Sequence, residues 1–279
     1  MNAIQSKILE IYKEVASICE RHDIRYYAIG GTCLGAVRHK GFIPWDDDMD
    51  IAIPENDFLR FLEIVAKELP EHLEVYHPGR LRHREIFFVK VVDNRTTLIE
   101  NICMNHPENY GGVWLDIMPL GGMPKSGVNR TWYLLHSWWL HKLSMLLKRD
   151  IERMPLHYKI VALLLYPLRG IVAPAFFWNS HMRLLKKYPF DTSLYTGYTW
   201  SLQLKRLIFP QEWYRDYVVM PFEDTTIRCP KHWHEFLTQI FGDYMRFPPE
   251  DKRNSGHEFD KGIVDLDRPY KYYQNLFKK

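Results

Sequence analysis

Residues 30–54 read GGTCLGAVRHKGFIPWDDDMDIAIP and place aspartates at 46, 47, 48 and 50. Side chains two apart on an extended segment share a face, so Asp48 and Asp50 can grip one hard cation, Mg²⁺ or Mn²⁺, while Met49, Ile51 and Ile53 enter the core. The four carboxylates repel one another, and a divalent ion removes that cost. Asp46 and Asp47 are read as loop or supporting residues. Upstream, Gly30 and Gly31 let the backbone approach a ligand closely, and amides opening a helix at Thr32 favour anions. A phosphate can then sit between the glycine bend and the cation. Either half alone is weak, since D-x-D is common in solvated loops and Gly-Gly is usually only a turn.

A third carboxylate is expected on a neighbouring strand, and GGVWLDIMPL supplies Asp116, in a setting where strands are depleted of Asp. The alternative for Asp116 is a strand-end cap. Among cations, Lys90 inside IFFVKVV is the first candidate for a phosphate, with Arg95 and Arg38 behind it. The competing reading puts Lys90 at an exposed sheet edge. Cys229, His232 and His234 form a fragment of a zinc pattern, but no fourth ligand lies close in sequence.

The elements that must position these groups follow from periodicity. Ile4, Ile8, Ile11, Tyr12, Val15, Ile18 and Cys19 recur at helical spacing over residues 3–22. A short aromatic strand, 25–29, ends at the double glycine, and Thr32 caps a short helix. The alternation from 48 to 53 predicts a strand stopped by Pro54, with a helix over 56–69. Further strands are expected at 73–76, 86–92, 97–100 and 113–118, and mostly helix from the Gly/Pro-rich stretch at 118–127 to about 189. This is an α+β chain with a mixed sheet flanked by helices and a largely helical insertion and C-terminal part. The expected division is 1–124 for the catalytic core, 125–190 for a helical insertion and 191–279 for a part completing the site.

The 279 residues are 46% hydrophobic and 25% charged, with mean hydropathy −0.33, a globular composition. Thirty-seven basic against 34 acidic residues give +3, too small an excess for a protein that binds nucleic acid by neutralising phosphates. Four scattered cysteines and no apolar leader point to a reducing, cytoplasmic setting. The most apolar stretch, 160–178, carries Arg169 at its centre and prolines at 167 and 174, which argues against a spanning helix. Lys142, Lys148, Arg149, Arg153, Lys159, Arg183, Lys186 and Lys187 fringe it. Two buried helices are one reading, and contact with the inner face of a membrane is the other.

The stretch IGGTCLGAVRHKGFIPWDDDMDIAI resembles the signature of the LicD family, which lies in the nucleotidyltransferase-fold superfamily. VWLDIMPL, FEDTTIRCP, FGDYMRFPP and the Arg253 to His257 segment are similar to its later blocks. The resemblance implies a nucleotidyltransferase-like sheet, metal ligands at Asp48 and Asp50, a third acidic role at Asp116, and supporting roles for Glu223, Asp243, Tyr244 and the substrate-binding Arg253. It also implies a metal-dependent transfer of phosphocholine from CDP-choline to a hydroxyl of a cell-surface glycan such as teichoic acid, lipopolysaccharide or a lipid-linked precursor. Three alternatives stay open. One keeps the chemistry with ribitol, glycerol or mannose phosphate as cargo, another is a nucleotidyltransferase releasing pyrophosphate, and the third is a non-catalytic assembly factor.

Overall fold

The computed structural model describes residues 1–77, 89–148, 151, 154–172, 174–198, 206–254 and 261–277. The expected strand positions 86–88, the basic residues Arg149 and Arg153, and His257 lie outside the described residues. The chain forms two compact units. One comprises residues 1–75, 90–119 and 212–279, the other residues 76–89 and 120–211.

In the first unit, α1 (Ala3–Arg21) buries Ile8, Ile11, Tyr12, Val15, Ile18 and Cys19, the stripe its spacing predicts. Its start is locked by a capping box in which the Asn2 side chain accepts from the Gln5 amide and the Gln5 side chain accepts from the Asn2 amide. After β1 (Tyr27–Ala28) comes α2 (Gly30–His39), then β2 (Asp50–Pro54), α3 (Glu55–Glu68), β3 (Leu73–Tyr76), β4 (Val89–Asp93), β5 (Thr97–Ile99) and β6 (Trp114–Met123). The main sheet runs β1-β2-β6-β4-β3, with β1 antiparallel to β2 and Ala28 opposite Ile51. β2 and β6 are therefore neighbours. Met49, Ile51, Ala52 and Ile53 are all fully buried, so this central segment is covered on both faces rather than on one.

Two corrections concern the chemistry-bearing stretch. The expected strand at 48–53 begins only at Asp50, and Asp48 belongs to the connection leading into it. The double glycine does not precede the helix but forms its first turn, the N-cap being Ile29 with no side-chain cap, so Thr32 is not a cap. Thr32 instead accepts a hydrogen bond from the Asp50 amide at 2.8 Å, which ties the helix to the start of β2.

The remainder of the first unit is a hairpin of β9 (Tyr217–Phe222) and β10 (Thr225–Pro230), then α7 (Trp233–Phe241), β11 (Ile263–Asp265) and α8 (Tyr270–Phe277). β11 pairs antiparallel with β5. The buried Tyr12 hydroxyl reaches both the Tyr26 hydroxyl at 3.0 Å and the Thr226 carbonyl at 2.8 Å, pinning α1 to β10.

In the second unit the end of β6 pairs with β7 (Tyr195–Gly197), and β7 with β8 (Ile208–Pro210). Strand β6 runs on through Pro119, Gly121 and Gly122, residues whose types suggest a break. The reason is room: a Cβ on Gly121 would stand 2.3 Å from a Leu185 methyl, and one on Gly122 2.4 Å from the Tyr188 carbonyl. Three helices, α4 (Gly127–Lys148), α5 (Leu156–Leu164) and α6 (Pro174–Leu185), make up most of the rest.

Gln5 does more than cap. Its Nε2 donates to the Ile43 carbonyl at 3.2 Å and to the Asp46 carbonyl at 2.7 Å, so the first turn of α1 holds the loop that carries the aspartates. Replacing Gln5 with Ala leaves the capping amide and two loop carbonyls short of partners. Urea unfolding is expected to show a loss of about 1–3 kcal/mol.

Candidate active site

Three adjacent strands place the charged groups. Asp50 opens β2, Asp116 lies on β6 and donates its amide to the Met49 carbonyl at 3.0 Å, and Lys90 lies on β4 on the far side of β6. Lys90 is 4% exposed and not at a solvated sheet edge. Its ammonium stands 3.1 Å from Asp116 Oδ1 and 3.6 Å from the centroid of the Trp114 ring. Trp114 also donates its indole N–H to Asp116 Oδ2 at 3.1 Å. Asp116 is thus a strand-interior acid held by a cation and an indole, rather than a strand-end cap. Oδ1 faces Lys90 but accepts no hydrogen bond from it or from any other described residue.

The glycines of α2 face carboxylates. Gly30 sits at φ +53°, the left-handed region that glycine occupies at little cost, and a Cβ there would lie 3.9 Å from Asp50 Oδ2. At Gly31 a Cβ would come within 2.7 Å of Asp46 Oδ2. Bare backbone at Gly31 is what lets the acidic loop pack on the helix.

The electrostatics follow from that packing. Burial, more than any other effect, raises the Asp50 carboxyl well above the usual carboxylate range, and the charges of Asp48, Asp116 and Asp46 raise it further while Lys90 opposes them. Burial also raises Asp116, against the pull of Lys90 and with a push from Asp48. Asp46, which its sequence setting marks as a loop or supporting residue, is pushed up to about 8 by burial and by the charge and hydrogen bonding of Asp48. Asp46 therefore belongs to the acidic set. Its signal in the sequence is the Pro44-Trp45 pair before it, which turns the chain back toward α2.

Around this set stands a second layer. Arg38 donates to the Tyr244 carbonyl at 2.9 Å, and its guanidinium lies 4.7 Å from the Phe247 ring and 5.9 Å from the Trp45 ring. Arg253 lies 5.4 Å from Trp45 and 5.7 Å from Phe247. Two guanidiniums thus share one pair of aromatic rings next to Asp46, a grouping that Phe247, 202 positions downstream of Trp45, conceals in the sequence. Glu223, at φ +53° in the β9–β10 turn, accepts from the Phe42 amide at 3.0 Å and donates its own amide to the Lys40 carbonyl at 2.8 Å. It braces the connection between α2 and the aspartates.

Not every candidate joins the set. Arg95 forks onto Asp93 at 2.6 and 3.0 Å. Asp243 is exposed. His234 pairs with the Tyr244 hydroxyl at 2.7 Å, and Cys229 is buried beside Cys33. Among the described residues no group of three His, Cys, Asp or Glu side chains stands ready to hold a metal ion. What fits a hard divalent cation is the all-oxygen donor set and the surplus negative charge.

Residues 23–138 match the family described as LicD/FKTN/FKRP, nucleotidyltransferase domain, a span that contains Gly30, the four aspartates, Lys90 and Asp116. The chain carries a LicD-family domain. It is 27% identical over 264 residues to lipopolysaccharide cholinephosphotransferase LicD of Haemophilus influenzae, covering 89% of this chain and 92% of that one. Against ribitol 5-phosphate transferase FKRP of Homo sapiens it is 28% identical over 178 residues, 63% of this chain and 30% of that protein. The protein is a phosphotransferase.

Between pH values of about 4 and about 8, folded Asp46 keeps a proton that the unfolded chain has released. Its raised folded value makes folding take up a proton there, so this carboxyl subtracts stability as pH rises through the window. Without divalent cations, Asp46→Asn should reduce the stability lost between pH 5 and pH 8 by at least about 1 kcal/mol, read from urea unfolding at the two pH values.

Proposed function

We propose that the protein transfers phosphocholine from CDP-choline to a hydroxyl of a cell-surface glycan or its lipid-linked precursor, on the cytoplasmic face of the membrane. The observation that carries this reading is the meeting of Asp50 with Gly30 and of Asp46 with Gly31, beside Asp116 on the neighbouring strand. The similarity to the Haemophilus cholinephosphotransferase over most of both chains supports the cargo.

In this reading Asp48 and Asp50, with Asp116 alongside, would hold Mg²⁺ or Mn²⁺, which when bound supplies positive charge against the diphosphate and the departing nucleotide. Gly30 and Gly31 give the diphosphate a close approach to backbone. Arg38 and Arg253, splayed over Trp45 and Phe247, offer guanidiniums to phosphate oxygens without needing to leave their aromatic support. Asp116, oriented by the Trp114 indole and ion-paired to Lys90, receives the proton of the acceptor hydroxyl. That hydroxyl oxygen bonds to the choline-bearing phosphorus as the bond to CMP breaks. Burial that raises Asp116 makes it a better proton acceptor than a solvated carboxylate, while Lys90 keeps it available for the task. Positioning and electrostatics do most of the work.

Similarity to the human ribitol 5-phosphate transferase supports a second reading with the same chemistry and a polyol phosphate as cargo. Incubation with CDP-choline, CDP-ribitol and CTP, each with a glycan acceptor, separates the readings. Release of CMP from CDP-choline is expected, CMP from CDP-ribitol alone would move the cargo, and pyrophosphate from CTP would make it a nucleotidyltransferase. Asp48→Asn and Asp50→Asn should each lower kcat/KM by about a thousandfold, roughly 4 kcal/mol of transition-state stabilisation, whereas a non-catalytic assembly factor would function unchanged.

A further inference from the structure

The helical unit carries an apolar face that its own core does not use. Along α5, Leu156, Ile160, Leu163 and Leu164 fall at i, i+4, i+7 and i+8, one helical stripe, and all four are exposed; Leu156 and Leu164 are each 76% accessible. The buried side of the same helix is a single Ala162, packed with Leu146 and Met154. Helix α5 thus turns its larger apolar side outward. Beside it lies a groove of about 670 Å³, whose wall takes exposed Trp132 and Trp139 from α4 and Val161 from α5, with Lys187 at its margin. An exposed apolar surface of this extent marks a docking site rather than chance.

Charge says what docks. From Lys125 to Tyr188 the sequence has eleven Lys or Arg and only Asp150 and Glu152 as acids, and no described residue in that span is acidic. Among the described cations, Lys159 lies on α5 beside the outward stripe, and Arg183, Lys186 and Lys187 stand on or just past α6. No described helix is long and apolar enough to cross a membrane. Leucines and tryptophans in a basic surround, on helices not both long and apolar enough to span, suit a surface that is apolar a few ångströms down and negatively charged above.

We infer that this face docks the protein on an anionic lipid bilayer, with an acyl chain entering the groove between α4 and α5. The inference deepens the proposed function, since it would bring the enzyme to a lipid-linked acceptor, yet it rests on residues outside the acidic site and is read independently of turnover.

The test is co-sedimentation of the full chain with vesicles of phosphatidylcholine alone or mixed with phosphatidylglycerol. The wild type should bind the anionic vesicles at least tenfold more tightly than the neutral ones, and lose most of that binding in high salt. Two variants separate the contributions: Leu156→Glu with Leu164→Glu for the stripe, and Lys186→Glu with Lys187→Glu for the charge. Each pair should weaken binding at least tenfold with circular dichroism unchanged, and the charge pair, all surface, keeps the test open if the first pair misfolds. Asp50→Asn should bind as the wild type does, so failure of the catalytic reading is separately visible. Absence of binding to anionic vesicles, or equal binding by folded variants, overturns the inference. So does a wild-type dimer that Leu164→Glu dissociates while vesicles capture nothing, because the face would then serve self-association.

Discussion

Desolvation and mutual repulsion of crowded carboxylates set the electrostatics of this protein. Burial first, and then the charges of Asp46, Asp48, Asp50 and Asp116 on one another, raise Asp46, Asp50 and Asp116 above the range of a solvated aspartate, and Lys90 offsets only part of the charge. A chain folded for stability alone would not gather them, since unpaired charge is costly to bury. The first unit spends its architecture on keeping them together.

The restraints come from all along that unit. Gln5 in α1 ties down the loop carbonyls, Thr32 in α2 takes the Asp50 amide, Glu223 in the β9–β10 turn holds Lys40 and Phe42, and Trp114 with Lys90 fixes Asp116. Apart from Lys90 and Trp114 on Asp116, the restraints grip backbone and leave the negative charge unshielded. The acidic set is therefore pre-positioned and electrostatically unsatisfied at once, the condition under which binding of positive charge is most favoured. Gly30 and Gly31 matter for the same reason: any side chain at Gly31 would displace Asp46.

Much of this was legible from local pattern. The helix at α1, the strand at β3 and the placement of Asp116 on the strand beside Asp50 follow from periodicity and from acids in apolar surroundings. Other features escaped for physical reasons. Asp48 lies ahead of β2 because the strand starts where the Asp50 amide meets Thr32, a tertiary contact that no propensity encodes. β6 passes through Pro119, Gly121 and Gly122 because Leu185 and Tyr188 need the space, so residues that usually break structure permit a close approach instead. The sharing of Trp45 and Phe247 by Arg38 and Arg253 joins segments about two hundred residues apart, beyond any local window.

The central claim is that Asp48 and Asp50 together hold one divalent ion. Calorimetric titration of Mn²⁺ into the donor-free protein at neutral pH tests it most directly. The account predicts one bound ion per chain and an affinity at least tenfold weaker in Asp48→Asn and in Asp50→Asn, both still folded. Undiminished Mn²⁺ affinity in either variant, or no binding by the wild type, would contradict it.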